Sequence, residues 1–234
     1  EWLMCEFIDK KPIGSSNISY DAPTEEEILK IIDLLLDIQK FPIEQFCNQH
    51  RWTKDFMWMD FDKYHDLFHS FKKKQYKKLK KIFSEEEFEE ADEIILSSKA
   101  LLNGSCTLFT HGDFHPANII INETALAIDW ETLRLDNSAW DLTTLWFRMV
   151  DHPKERRFLL EQFAKVTAQK EFFPELFRLN ILCRMLEEIS MIWLPLSTRD
   201  DLPDWQVKKY QESLEICRQN YLTAIKGGEL KDYE

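Results

Sequence analysis

The sequence predicts an α+β fold that is mostly α, a helical body carrying a small β insert. Three observations carry this. Two capping boxes open amphipathic runs in the first hundred residues, Thr24 with Glu27 and Ser84 with Glu87. Three short apolar runs, CTLFT, NIIIN and ALAIDW, cluster between Cys106 and Trp130. Long stretches at helical spacing then fill the chain after Asp136, punctuated by Pro153, Pro174, Pro195 and Pro203.

In order, residues 2–8 (WLMCEFI) read as a strand and are followed by a polar loop with Pro12, Gly14 and Pro23. Ile28, Ile31, Ile32 and Leu35 mark the apolar face of the first helix, which should stop near Phe41-Pro42. Residues 60–83 read as a helix with a very basic end, and Ser84 opens an acidic one. Seven lysines from 72 to 81 face seven acids from 85 to 93. That charge pattern suits a solvated helix hairpin over 60–101 with cross-pairing; a polyanion site is the alternative. Asn122-Glu123-Thr124 should turn one strand into the next. Helices are expected over 138–150, 154–170, 175–194 and 204–225, with a polar tail from Gly227-Gly228.

The 234 residues are 44% hydrophobic and 13% aromatic, with eight Trp, a globular balance rather than a disordered one. A net charge of −12 disfavours nucleic acid and suits solubility or a cationic small molecule. Five scattered Cys without C-x-x-C argue against a disulfide framework or a zinc site. With no signal peptide and no 18-residue apolar run, the expectation is a cytoplasmic protein without a membrane partner.

The chemistry concentrates in THGDFHPANIIINETALAIDW, Thr110 to Trp130. Asp113 and Asn118 lie in a loop between strands, where catalytic groups tend to sit. Asp129 follows at the end of the next strand, beside Ala127, Ile128 and Trp130, and is expected to be buried, which is costly without a cation or donors. An oxygen-only set of Asp, Asn and Asp suits Mg²⁺ rather than zinc. Phosphoryl transfer needs little more than a base to orient a hydroxyl and ligands for the metal that holds the phosphates. Asp113 suits the first task, Asn118 and Asp129 the second. The bland alternative is that Asp113 and Asn118 only shape a turn.

HGDFHPAN followed by AIDWE resembles the aminoglycoside phosphotransferase and choline kinase superfamily, which shares the protein-kinase-like fold. IIDLLLDIQKFP is similar to the family helix ending in L-H-x-x-P, with Gln39 where His is usual, and AWDLTTL resembles its Y-D-L-A segment. The resemblance implies that Asp113 is the catalytic base, that Asn118 and Asp129 hold Mg²⁺, that His111 braces the loop and that Asp141 hydrogen-bonds to it. It implies ATP as co-substrate, with GTP as the alternative, and backbone pairing of Glu6, Phe7 and Ile8 with the base. It implies a small-molecule acceptor bound by C-lobe helices, for which Glu187, Glu188, Trp193, Asp200, Asp201, Asp204 and Trp205 are candidates. The roles of Glu131 and His115 stay open.

The family's Gly-rich loop and phosphate-binding Lys lie before the hinge, and none of the five glycines here forms such a motif. The resemblance therefore implies a hinge segment over 1–10, a phosphotransferase C-lobe over 11–226 and a tail over 227–234, with the N-lobe outside this sequence. Alone, such a chain should bind Mg·ATP weakly. Two rivals follow from the residues. One is a non-catalytic scaffold that keeps the kinase shape. The other is a metal-dependent phosphohydrolase using His111, Asp113, His115 and Asp129.

Overall fold

A computed structural model describes residues 12–13, 22–42, 57–230 and 233, and within these it leaves aside the side chains of 57, 75, 76, 78, 190, 191, 193–195 and 197. The expected strand over 2–8, with the hinge residues Glu6, Phe7 and Ile8, lies outside the described residues.

Helix α1 (Glu25–Gln39) opens with the complete capping box, and Ile28, Ile31, Ile32 and Leu35 are buried on one face. The basic segment is α2 (Phe61–Leu79). The acidic run is α3 (Glu85–Ser97), again opened by its capping box, and Ser98 breaks it from α4 (Lys99–Ser105). Lys72 and Glu85 pair at 2.5 Å across the α2–α3 turn.

The strands differ from expectation in number and pairing. A two-residue strand β1 (Met57–Trp58) and a strand β5 (Arg134–Asp136) join β2 (Leu108–Thr110) in a sheet ordered β1-β5-β2. β5 runs parallel to β1 and antiparallel to β2. The other two strands, β3 (Ile119–Ile121) and β4 (Ala125–Ala127), form a separate hairpin. Both β1 and β5 are too short to show an alternating pattern, and their partners are distant in sequence.

Four helices follow: α5 (Trp140–Arg148), α6 (Pro153–Val166), α7 (Phe173–Thr198) and α8 (Asp204–Lys226). Pro153 stands at the start of α6 and Pro203 caps α8. Pro195 does not end its helix; α7 continues to Thr198. α7 is the axis of the body and packs on α2, α5 and α8. Its residues from Phe173 to Ile189 supply much of the core, and Leu179, Leu182, Met185 and Leu186 are fully enclosed. No described helix is long and apolar enough to cross a membrane.

The tail is not simply polar. Gly227 ends α8 in the left-handed conformation, with φ 72°, and the chain then returns Tyr233 against Phe177 and Trp146, at ring distances of 5.6 and 6.2 Å.

A buried polar knot ties this body to the strands that flank loop 111–118. Asp136 on β5 accepts from Tyr64 Oη on α2 and from its neighbour Asn137 N, and lies 3.1 Å from Arg134 Nε. Asn180 on α7 donates to Asn137 Oδ1 at 2.9 Å. Burial pushes the Asp136 carboxyl up to about 6, against the pull of Arg134 and Tyr64.

Candidate active site

Loop 111–118 is clamped at its start by α5. The Asp141 side chain is buried, and each of its oxygens accepts one backbone N–H: Oδ2 from His111 at 2.7 Å and Oδ1 from Gly112 at 2.9 Å. Hydrogen bonds to a carboxylate are worth about 1.5–3 kcal/mol each. Trp140 Nε1 donates to Gly112 O at 3.0 Å, and Thr132 Oγ1 donates to His111 O at 3.0 Å.

Gly112 is required by both conformation and space. Its φ is +87°, and a Cβ there would stand 2.1 Å from the carbonyl oxygen of Thr132. That obstacle is backbone. Gly112→Ala should therefore lower stability by at least about 2 kcal/mol, read by denaturant unfolding; an unchanged midpoint would refute the close approach.

The two histidines have different, assignable jobs. His111 is fully buried. Its Nε2 lies 2.8 Å from Ile128 O, an acceptor only, so Nε2 carries the proton; Nδ1 accepts from Asp113 N at 3.4 Å. Both ring nitrogens are occupied by backbone, and the ring braces the loop against the β3–β4 hairpin. His115 caps the short 3₁₀ turn Pro116–Asn118, with Nδ1 accepting from Ala117 N at 3.2 Å. The proton of the neutral ring is then on Nε2, which faces Asp113 Oδ2 at 3.4 Å.

Asp113 is half-exposed at the open side of this loop. Arg184 of α7 approaches its other oxygen, Nη2 to Oδ1 at 3.6 Å. The hydrogen bond from His115 is the largest cause holding the Asp113 carboxyl below its ordinary value; the charges of Arg184 and Arg148 add to it, and burial opposes. Asp113 is thus ionised at neutral pH.

Asn118 is buried and donates Nδ2 to Asp113 O at 3.0 Å. The reverse orientation of the amide would set two carbonyl oxygens against each other, so Oδ1 is the atom left to accept. Ile128 N donates to Asn118 O at 3.0 Å, which sets Asp129 beside the end of the loop. Here the structure corrects the expectation of a buried carboxylate in a strand. β4 ends at Ala127, and Asp129 takes a left-handed turn (φ 66°, ψ 65°) that leaves it exposed. Aspartate is among the few residues that tolerate this conformation. Among the described residues its carboxylate has no hydrogen-bond or ion-pair partner, and neither a buried apolar setting nor a strand explains it. Asn118 Oδ1 and the Asp129 carboxylate are hard oxygen donors on adjoining backbone, a set that fits Mg²⁺.

The acceptor candidates separate into two groups. Glu187 and Glu188 lie on α7 behind Asp113. Glu187 pairs with Arg184 at 3.1 Å; Glu188 is buried between Arg184 at 3.6 Å and Arg148 at 3.3 Å. These carboxylates neutralise the arginines that face Asp113, so neither is a free contact for a cationic ligand. Asp200, Asp201, Asp204 and Trp205 are exposed where α7 passes to α8, and Asp201 pairs with Arg199 at 3.0 Å. Among the described residues no hydrogen bond or ion pair joins this group to loop 111–118. The Trp193 side chain lies outside the described residues. Glu131 is exposed beside Asp129.

Nothing in the sequence places Arg184 or Arg148 beside the loop, and Trp140 enters the sequence argument only within AWDLTTL. The only local signal was Arg184 set three and four positions before Glu187 and Glu188 on one helical face.

A model of the phosphotransferase enzyme family (APH) matches residues 1–172. The chain belongs to this family. No curated protein matches it. Two solved structures are similar at 16% identity: an ethanolamine kinase from Plasmodium vivax, with 91% of this chain and 63% of that chain covered at a TM-score of 0.48, and the choline kinase LicA from Streptococcus pneumoniae, with 82% and 63% covered at 0.46. The aligned part thus spans less than two thirds of either kinase, and at these TM-scores the likeness adds nothing to the family match.

Proposed function

We propose that this phosphotransferase-family chain carries the catalytic base and metal ligands of an ATP- and Mg²⁺-dependent O-phosphotransferase acting on a hydroxyl of a small molecule. The observation that carries the reading is the pairing of two differently held carboxylates on one clamped loop system. Asp113 is charged and oriented by His115 and Arg184, while Asp129 is unpartnered beside Asn118.

In this reading Asp113 accepts the hydrogen bond of the acceptor hydroxyl and aims its oxygen at the γ-phosphoryl group. A base held below its ordinary pKa is better suited to orienting the hydroxyl than to removing its proton early, which agrees with a loose transition state. Asn118 and Asp129 would hold Mg²⁺, which neutralises phosphate charge when bound. The exposed carboxylates Asp200 and Asp204 with Trp205 favour a cationic acceptor of the aminoglycoside or amino-alcohol class, since an ammonium group can be met by carboxylate and ring face together. GTP remains the alternative donor.

The phosphohydrolase reading loses support because both ring nitrogens of His111 are committed to backbone, leaving no lone pair for a metal. The scaffold reading offers no reason for an unpartnered Asp129 in a left-handed turn.

Thermal unfolding tests the metal–nucleotide half. A ligand at about 100 times its dissociation constant stabilises by about 2.7 kcal/mol, on the order of 5–10 °C for a chain of this size. Mg·ATP should produce such a shift, and Asp129→Asn should remove it. The measurement belongs on this chain and on any longer parent chain that the gene encodes. A shift that survives Asp129→Asn in both, or no shift in either, would sink the assignment.

A further inference from the structure

Two histidines and an aspartate on the α2–α3 helix pair take no part in loop 111–118. His65 and His69 are one turn apart on α2, so both rings leave the same face. Asp92 comes from α3, 27 positions after His65. Nε2 of His65 lies 3.0 Å from Asp92 Oδ1, Nε2 of His69 lies 3.2 Å from the same oxygen, and the two Nε2 atoms are 3.0 Å apart.

These atoms form a nearly equilateral triangle. Neighbouring donors around a tetrahedral Zn²⁺ with bonds of about 2.0–2.1 Å are separated by about 3.3 Å, close to each edge found here. Hydrogen bonding alone accounts for the triangle poorly. Each Nε2 carries at most one proton, so three edges share two protons at most, and with both present the His65–His69 edge sets one N–H against another. A cation above the triangle meets all three lone pairs at once.

The rings are positioned by their neighbours. Phe61 stacks on His65 at 5.5 Å and 20°, and Phe68 meets His69 edge-on at 5.4 Å. The three side chains remain partly open to solvent, at 27%, 44% and 27% exposure for His65, His69 and Asp92. An ion can therefore enter, and water can complete its coordination.

We propose that His65, His69 and Asp92 form a site for a transition-metal dication of the Zn²⁺ class that clips α2 to α3. Two imidazole nitrogens with one carboxylate oxygen favour Zn²⁺, Co²⁺ or Ni²⁺ over Mg²⁺, which keeps this site distinct from the oxygen-only set at Asn118 and Asp129. The dispersed cysteines argued against zinc, but a cysteine pattern is blind to a histidine–carboxylate site.

The test uses tag-free protein stripped with a chelator. Zn²⁺ is titrated calorimetrically, and Co²⁺ is titrated while its visible ligand-field bands report tetrahedral coordination. One equivalent should bind, with a rise in Tm. His69→Gln and Asp92→Asn should each weaken Zn²⁺ on the order of 100-fold with unchanged far-UV circular dichroism. Asp129→Asn should keep the wild-type zinc affinity. Both substituted side chains are partly exposed, so the variants should fold; His65→Gln is a further independent removal of one ligand. No saturable Zn²⁺ binding, or equal affinity in all these variants, would overturn the proposal.

Discussion

Asp113→Ala is expected to lower kcat for phosphoryl transfer by about 10²–10⁴-fold while changing stability by no more than about 1 kcal/mol. The two expectations have one geometric origin. Asp113 is half-exposed, so little packing is lost with it, and Arg184 retains Glu187 and Glu188 as partners. The proposed chemistry suffers because, among the described residues, no other carboxylate pairs with both His115 and Arg184. The pH profile gives a sharper readout. A group that must be ionised loses its contribution as pH falls through its pKa. The His115 hydrogen bond, aided by Arg184 and Arg148, holds Asp113 below the ordinary aspartate range, so the acid limb of kcat/KM should lie below that range as well. His115→Phe removes the largest cause and should move the limb to higher pH. An Asp113→Ala enzyme with near-normal kcat would remove Asp113 from the mechanism; an acid limb insensitive to His115→Phe would remove His115 from its positioning role.

Asp141→Asn is expected to damage the protein almost as much as Asp141→Ala, which separates a two-oxygen clamp from a merely polar contact. Each oxygen takes one N–H, from His111 and from Gly112. An amide can offer only one oxygen, so its NH₂ must face one of those N–H groups. Alanine leaves both backbone donors buried without a partner, at about 1–3 kcal/mol each. Both variants should unfold at distinctly lower denaturant concentration and lose most activity, because the loop that aims Asp113 begins at these two amides. Full rescue of stability by asparagine would show that the clamp does not work through both oxygens.

The helical body was legible wherever its signals were local. The capping boxes of α1 and α3 involve residues three apart, and the apolar face of α1 repeats within one helix. Pro195 misled because proline is a local rule, and the backbone of α7 carries the helix past it to Thr198. Strands β1 and β5 were illegible because two or three residues hold no period; long-range pairing creates them. Asp129 misled for a related reason. Its apolar neighbours suggested burial, but the end of β4 and a left-handed turn at Asp129 itself decide where the carboxylate points.

By itself the sequence singled out the groups on which the proposed chemistry rests, the loop from His111 to Asn118, then Asp129 and Asp141, and it marked the family. Their order and spacing are covalent facts, and the loop is short enough for spacing to constrain geometry. Only the tertiary structure decided what surrounds them. It set Arg184 of α7 against Asp113, divided the two oxygens of Asp141 between two amides, and brought Asp92 of one helix to two histidines of another. Each is a contact between segments far apart in the chain. Such contacts depend on how helices and strands pack, and no residue carries that information in its immediate neighbours.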